Sequence, residues 1–400
     1  MKISKFAGVI AAAAVAFSGF CGIAPVSADA LYGAAVVSNS EYTDKNGFVM
    51  EKDKQGDLFV SGYTGSGGNI TIPTDAVYIG EGAFAGKKSI TSVTIPSTCY
   101  GGIGAKAFAG CVNLQKVNVK GDIECVGEKA FFACVKLKTV TFRGDVAESE
   151  VYGSYYGGGI FDKAFYCCSS LKTVTFTKYT STLSCIGSGA FGNCLSLTDV
   201  TLPHKVSNIY DAFYNCPKLV AVSVPWQATV DRYAFGYILD QTADEDEAEY
   251  QRATGSASAY ATYFTYSSTS NSLIKHYKKI TPSKFTLVVE QGTDAEKYAK
   301  SNHIVYRYRL AAPESVLASR GKNKITLSWN WVNGADYYIV YLQNNLTGKY
   351  EEYDRVTSET CTVTGLRSGT KYNFRLVAVD TIDGTDIAGF TSELFEFHTR

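Results

Sequence analysis

Histidine is scarce in this 400-residue chain, methionine occurs twice, and neither sign of charge is in excess, with 38 basic against 38 acidic side chains. The four histidines, His204, His276, His303 and His398, fall in unrelated segments, leaving little material for a histidine-based metal or acid–base site. A net charge of zero excludes capture of a polyanion by bulk electrostatics, so nucleic acid is not an expected partner. Beyond Phe20 no apolar run is long enough to span a membrane, so no transmembrane segment is expected. Charged residues make up 19% and hydrophobic ones 46%, which is the balance of a folded chain and not of a disordered one. Aromatic side chains are plentiful, with 28 Tyr and 22 Phe.

Lys2 and Lys5 precede an apolar run from Phe6 to Phe20, followed by Ala24-Pro25-Val26-Ser27-Ala28. A basic start, a short apolar segment and small residues at Val26 and Ala28 read as a secretory signal peptide over 1–28, cleaved before Asp29. Cys21 follows the bulky Phe20, which does not suit a lipidated cysteine. The expected location is extracellular, with or without association to the cell surface. Residues 29–45 read as a linker.

From residue 46 onward the chain is dominated by internal repetition. Ala-Phe pairs recur at Ala83-Phe84, Ala107-Phe108, Ala130-Phe131, Ala164-Phe165, Ala190-Phe191, Ala212-Phe213 and Ala234-Phe235. One apolar template trails most of them, as in Phe131, Cys134, Leu137, Val140 and Phe142, or Phe191, Cys194, Leu197, Val200 and Leu202. Spacings of three and then two mean a tight coil feeding a short strand whose alternate residues point inward. A unit of about 23 residues cannot bury its apolar edge alone, so successive units must stack into a solenoid.

The pattern Ile103-Gly104…Ala107-Phe108…Cys111…Leu114…Val117…Val119 resembles the BspA-type leucine-rich repeats of bacterial surface proteins. The resemblance implies a leucine-rich repeat solenoid of right-handed β and coil with short helical turns over 46–310, caps included. Lys87 replaces the cysteine in the first copy, and the last copy, with Val230, Ala234 and Phe235, stops short of its strand. Gly47-Phe48-Val49 and Leu58-Phe59-Val60 read as an amino-terminal β cap. Thr293 to Ala299 reads as a short helix leading into Ile304-Val305-Tyr306 as the opposite cap. Two insertions interrupt the array, a Tyr/Gly-rich one near 146–159 and a longer one over 240–283. The longer one carries the acidic run Asp244 to Glu247, which lacks the alternating ligand spacing of a calcium loop, and a Ser/Thr/Tyr/Ala stretch from Thr254 to Ser272.

From Ala312 the pattern changes to short alternating strands, such as Ile325-Thr326-Leu327-Ser328-Trp329 and Tyr338-Ile339-Val340. Leu366…Gly369…Tyr372, with the early tryptophan, resembles a fibronectin type III module. That resemblance implies an all-β sandwich over 311–400, with the tyrosine locking a strand corner.

Cys111, Cys134, Cys168, Cys194 and Cys216 each follow their Phe by three residues. The repeat register therefore places them in one interior column, as small buried hydrophobes carrying free thiols. Cys361 alternates with Val363 and Leu366 and is expected buried in the sandwich. Cys99, Cys125, Cys167 and Cys185 lie outside the column, and a Cys99–Cys125 link is open. No C-x-x-C pair supports zinc. Gly187-Ser188-Gly189-Ala190-Phe191-Gly192 spells a nucleotide fingerprint, but Gly80-Glu81-Gly82 stands at the equivalent place in another repeat, so repeat geometry accounts for it. No catalytic constellation and no cofactor are implied. Arg143-Gly144-Asp145 matches an integrin-type ligand motif. Lys120-Gly121-Asp122 occupies the same place one repeat earlier, which favours a repeat turn.

If Val140 and Phe142 point inward, Thr139, Thr141 and Arg143 point outward on a concave sheet. The equivalent outward residues are Ser92 and Thr94; Lys116, Asn118 and Lys120; Thr173 and Thr175; Asp199 and Thr201; Ala221 and Ser223. This weakly basic, threonine-lined strip is the candidate ligand-binding surface of a non-catalytic adhesion or binding protein whose partner is an extracellular protein or glycan. The alternative is a carbohydrate-binding accessory component of a polysaccharide-processing system, with Tyr152, Tyr155, Tyr156 and Trp331 stacking on sugars.

Overall fold

The computed structural model describes residues 41–146, 158–176, 183–203, 205–235, 237–239, 277–279 and 285–400. Around Phe84, Phe108, Phe131, Phe165 and Phe191 the backbone enters the left-handed region twice. Lys106 (φ 54°) and Gly110 (φ 71°) flank Phe108, Lys129 (φ 53°) and Ala133 (φ 55°) flank Phe131, and Lys163 (φ 55°) and Cys167 (φ 61°) flank Phe165. A residue in that region ends a right-handed helix. The expected short helical turns are therefore single hydrogen-bonded turns, closed by Ala109 N–H to the Lys106 carbonyl at 2.9 Å and Phe132 N–H to Lys129 at 3.0 Å. The one α-helix among the described residues is Asp294–Ser301.

These turns lead into short strands, and about eight coils of chain stack into a β-solenoid with two parallel sheets. The long sheet has nine strands. In spatial order they are Gly68–Thr71, Ile90–Ile95, Lys116–Val119, Thr139–Phe142, Thr173–Phe176, Asp199–Thr201, Ala221–Ser223, Thr286–Val289 and Val305–Tyr308. Register is kept from coil to coil, with Val93 beside Val117, Val117 beside Val140, Val140 beside Val174 and Val174 beside Val200. The short sheet runs from Cys125–Val126 to Thr229–Val230 in five two-residue strands. Before the coils, the antiparallel strands Phe48–Lys52 and Leu58–Tyr63 cover the first turn through buried Met50 and Val60.

Away from the sheets the coils are held by two columns. Ring centroids from Phe84 through Phe108, Phe131, Phe165, Phe191 and Phe213 to Phe235 follow at 4.7, 5.2, 5.0, 5.3, 5.1 and 5.3 Å, with near-parallel planes. Each stacked pair adds roughly 0.5–1.5 kcal/mol beyond the burial of its rings. Beside this column runs the cysteine ladder. Cys111, Cys134, Cys168, Cys194 and Cys216 donate from Sγ to the carbonyls of Phe84, Phe108, Phe131, Phe165 and Phe191, at 3.1, 3.2, 3.2, 3.3 and 3.2 Å. Each thiol thus adds a second donor to a carbonyl of the preceding coil that already accepts a backbone N–H. No disulfide joins any of the ten described cysteines, Cys99 and Cys125 included. Burial pushes the thiols of Cys99, Cys111, Cys125 and Cys216 up to about 12, and those of Cys134, Cys168 and Cys194 well above their ordinary value.

The last repeat differs from expectation. The coil of Phe235 does reach its strand, which is Thr286–Val289, paired in parallel with Ala221–Ser223. Phe285, entering that strand, packs on Phe235 at 6.0 Å. The long insertion separates coil from strand, and its two ends pair antiparallel, Tyr237–Leu239 with Tyr277–Lys279. The acidic run and the Ser/Thr/Tyr/Ala stretch lie outside the described residues. The helix Asp294–Ser301 then closes the array. Its Thr293 cap accepts from Glu296 N–H at 3.2 Å, and Glu296 accepts from Gly292 N–H at 2.6 Å, a reciprocal cap.

The carboxy-terminal unit is an antiparallel sandwich. Leu317–Arg320, Ile325–Ser328 and Thr360–Val363 form one sheet, and Tyr350–Val356, Tyr337–Gln343, Lys371–Ile382, Thr385–Thr391 and Phe395–His398 the other. Trp329 meets Tyr338 edge-on at 5.3 Å in its core, and Cys361 is buried opposite Leu327. The Tyr372 hydroxyl accepts from Arg367 N–H at 2.8 Å, which is the corner lock the sequence implies.

Candidate functional site on the outer face of the long sheet

Strand alternation divides the long sheet cleanly. Val117, Val119, Val140, Phe142, Val174, Val200 and Leu202 lie inside, and the intervening residues form two rows outside. One row runs Ser92, Lys116, Thr139, Thr173, Asp199, Ala221, Thr286, Val305. In the other, Thr94, Asn118, Thr141 and Thr175 stand side by side, and Thr201 stands beside Ser223, followed by Val288 and Arg307. Lys116, Lys120, Arg143 and Thr175 are exposed, while Thr94, Asn118, Thr139, Thr141, Thr173, Asp199 and Thr201 are half-buried within the rows. Neighbouring positions in a row are about 4.8 Å apart. Arg143 is held across the face, its Nε donating to Asn118 Oδ1 at 3.2 Å.

The rows change character at Ala221. There the outward residues become Ala221 and Val288, and both pack under Ile382 and Ile387 of the sandwich. These two isoleucines come from the hairpin made by Lys371–Ile382 and Thr385–Thr391. Beside them, Arg307 Nη1 donates to both carboxylate oxygens of Asp380, each at 2.9 Å. Arg309 stacks on the Phe390 ring at 4.7 Å to its centroid. The sandwich therefore covers the carboxy-terminal end of the sheet face. Ser223, expected as part of the strip, is only 1% exposed beneath this contact and is withdrawn from the candidate surface. The available face runs from Gly68–Thr71 to Asp199–Thr201.

Within Arg143-Gly144-Asp145, Gly144 and Asp145 pack against the coil before them, while Arg143 is exposed. A Cβ on Gly144 would lie 2.1 Å from the Gly121 carbonyl carbon of the coil below, and Asp145 N–H donates to Asp122 Oδ1 at 2.8 Å. These are the contacts of a repeat turn. The apparent nucleotide fingerprint resolves in the same way. Gly189 (φ 62°) occupies the left-handed position held elsewhere by Lys106 and Lys129, and Gly192 leaves the gap into which the Tyr166 and Tyr214 rings lean. The segment leads into the two-turn coil of Phe191, with no helix after it. Tyr152, Tyr155 and Tyr156 lie outside the described residues, whereas Trp331 is 62% exposed on the sandwich. Among the described residues no cluster of His, Cys, Asp and Glu could hold a metal ion, and no helix is long and apolar enough to cross a membrane.

Two features of the face are not predicted from the sequence. One is the covering of its end by the sandwich, signalled only by the switch from hydroxyls to Ala221 and Val288. The other is a pair of exposed lysines, Lys138 and Lys172, at the border where their strands begin, with Lys172 N–H bonded to the Lys138 carbonyl at 2.9 Å.

The BspA type leucine rich repeat region matches residues 62–153 and 159–241 in six copies, and the fibronectin type III domain matches residues 311–387. No curated protein matches the chain. Among solved structures, a leucine rich cell surface protein from Faecalibacterium prausnitzii is 21% identical, over 48% of this chain and 73% of that one, with a TM-score of 0.27. A Fn3-like protein from Clostridium thermocellum is 26% identical, over 23% of this chain and 95% of that one, with a TM-score of 0.20. The chain thus carries BspA-type leucine-rich repeats within residues 62–241, followed by a fibronectin type III domain.

Proposed function

We propose that this is a secreted or cell-surface, non-catalytic binding protein that holds an extended extracellular protein or glycan against the outer face of its long sheet. Leucine-rich repeat and fibronectin type III domains together indicate a surface protein with an interaction role. The observation that carries the reading further is the register of the outward rows. Asn118, Thr141 and Thr175 stand side by side on successive strands, offering one polar contact about every 4.8 Å to a partner lying across them. Support for export comes from the basic and apolar pattern of residues 1–28, whose structure is not described. The sandwich serves in this reading as a fixed stop and spacer at the sheet's carboxy-terminal end.

The test is a pair of arrays, one of extracellular proteins and one of glycans, probed with the full chain. Saturable binding to members of either array is the expected result. Background signal on both would contradict the reading. Culture fractions would separately establish whether the protein is in the medium, on the envelope or inside the cell, and the last of these would remove the extracellular assignment.

A further inference from the structure

We propose, building on the binding role of the outer face, that its ligand is an acidic polysaccharide, a linear glycan bearing carboxylates or sulfates. Lys116, Lys120 and Arg143 fall on the outward alternation of two adjacent strands and are exposed, and Lys138 and Lys172, also exposed, stand one residue before Thr139–Phe142 and Thr173–Phe176. Against these five cations stand three acids: Asp199 in the outward rows, to which the Thr198 hydroxyl donates at 2.9 Å, and Asp122 and Asp145, two residues past Lys120 and Arg143. Among the described residues no ion pair engages Lys116, Lys120, Lys138 or Lys172.

The cations fall on two borders. Lys116, Lys138 and Lys172 stand where their strands begin, and Lys120 and Arg143 where theirs end. Lys116 and Lys120 are four residues apart along one chain, about 13 Å at strand rise. Between the borders lies a floor of Asn118, Thr139, Thr141, Thr173 and Thr175, hydroxyls and an amide that both donate and accept hydrogen bonds. A flat polar floor suits sugar hydroxyls, and long cationic side chains on either side suit acid groups alternating along the polymer.

The same features disfavour a peptide. Every strand under this floor is paired on both sides, so no free backbone edge is offered for strand addition. The floor holds no apolar pocket for an anchoring side chain, since its aliphatic residues all face inward.

Full-length protein would be titrated calorimetrically with polygalacturonate, with dextran as a neutral glycan and with poly-L-glutamate as an acidic peptide. Polygalacturonate should bind at least about tenfold more tightly than either, and severalfold more weakly at about 300 mM than at about 50 mM NaCl. The variant Lys116→Gln/Lys138→Gln/Lys172→Gln should lose about tenfold or more, while Lys322→Gln/Lys324→Gln on the sandwich should bind as the parent does. Equal binding of dextran, equal or tighter binding of polyglutamate, full-strength binding by the triple glutamine variant, or no binding of polygalacturonate would each overturn the assignment. If polygalacturonate fails while an array ligand still binds the outer face, the acidic-glycan assignment falls and the binding role stands. If the arrays are also blank, both fall.

Discussion

The thiol of Cys134 donates to the carbonyl oxygen of Phe108, one coil earlier, at 3.2 Å, and the same bond recurs in four other coils. Cysteine is here a small hydrophobe that also gives a backbone carbonyl its second donor. Removing it in Cys134→Ala leaves the Phe108 carbonyl short of that donor and shaves little volume, so the loss should be about 1 kcal/mol. Phe131→Ala opens a cavity between two stacked rings and should cost roughly 3–5 kcal/mol. Denaturant unfolding of the two variants measures both. Similar small losses would contradict the stacked register.

Reagent access gives an independent check on the ladder. Burial raises the thiols of Cys111 and Cys216 to about 12 and those of Cys134, Cys168 and Cys194 well above their ordinary value, so at pH 8 they are almost entirely protonated, and only the thiolate is alkylated. Iodoacetamide followed by mass spectrometry should modify half-buried Cys185 first and leave Cys111, Cys134, Cys168, Cys194 and Cys216 untouched until denaturant is added. Rapid labelling of the ladder in the native protein would contradict its burial.

Acid should act through the closing helix. Lys300 Nζ, Gly292 N–H and the Tyr308 hydroxyl all donate to Glu296, lowering its carboxyl to about 2. In the unfolded chain the same group titrates near about 4.3. Its contribution to stability is therefore complete above that value and is lost as pH falls through about 2. Thermal melts of the parent should fall more steeply than those of Glu296→Gln over this window. Parallel profiles would remove Glu296 from the acid response.

The contact between sandwich and sheet rests on Ile382 and Ile387 against Ala221 and Val288. Ile387→Asp places an unpaired carboxylate there and should weaken the contact by roughly 2–4 kcal/mol. Asp380→Asn should cost less, about 1 kcal/mol or below, because the Arg307 side chain is half in water. Calorimetry should show the sandwich melting earlier in Ile387→Asp. An unchanged melting profile would mean the contact carries no weight.

Much of this molecule is legible in the sequence because repetition leaves few alternatives. Phe131, Cys134, Leu137 and Val140 recur with one spacing, and a stack is the arrangement that buries all copies at once. The outward set from Ser92 to Thr201 follows from alternation alone. Ser223 shares that alternation, yet it is buried by a hairpin more than 150 residues downstream, and no local pattern carries such a contact. The strand Thr286–Val289 is hidden for a different reason, since an insertion parts it from the Phe235 coil and breaks the period by which the other strands are found. Lys138 and Lys172 fall just before their strands, outside the alternation that picks out the rows.

The most direct measurement of the central claim is a titration of the variant Asn118→Glu/Thr141→Glu/Thr175→Glu with whichever ligand the protein or glycan array returns. These three side chains face away from the core in neighbouring strands, so circular dichroism and the melting temperature should match the parent. Binding should fall by about tenfold or more, through steric and charge mismatch along the row. A correctly folded triple variant that binds at full strength would contradict the assignment of ligand binding to the outer face of the long sheet.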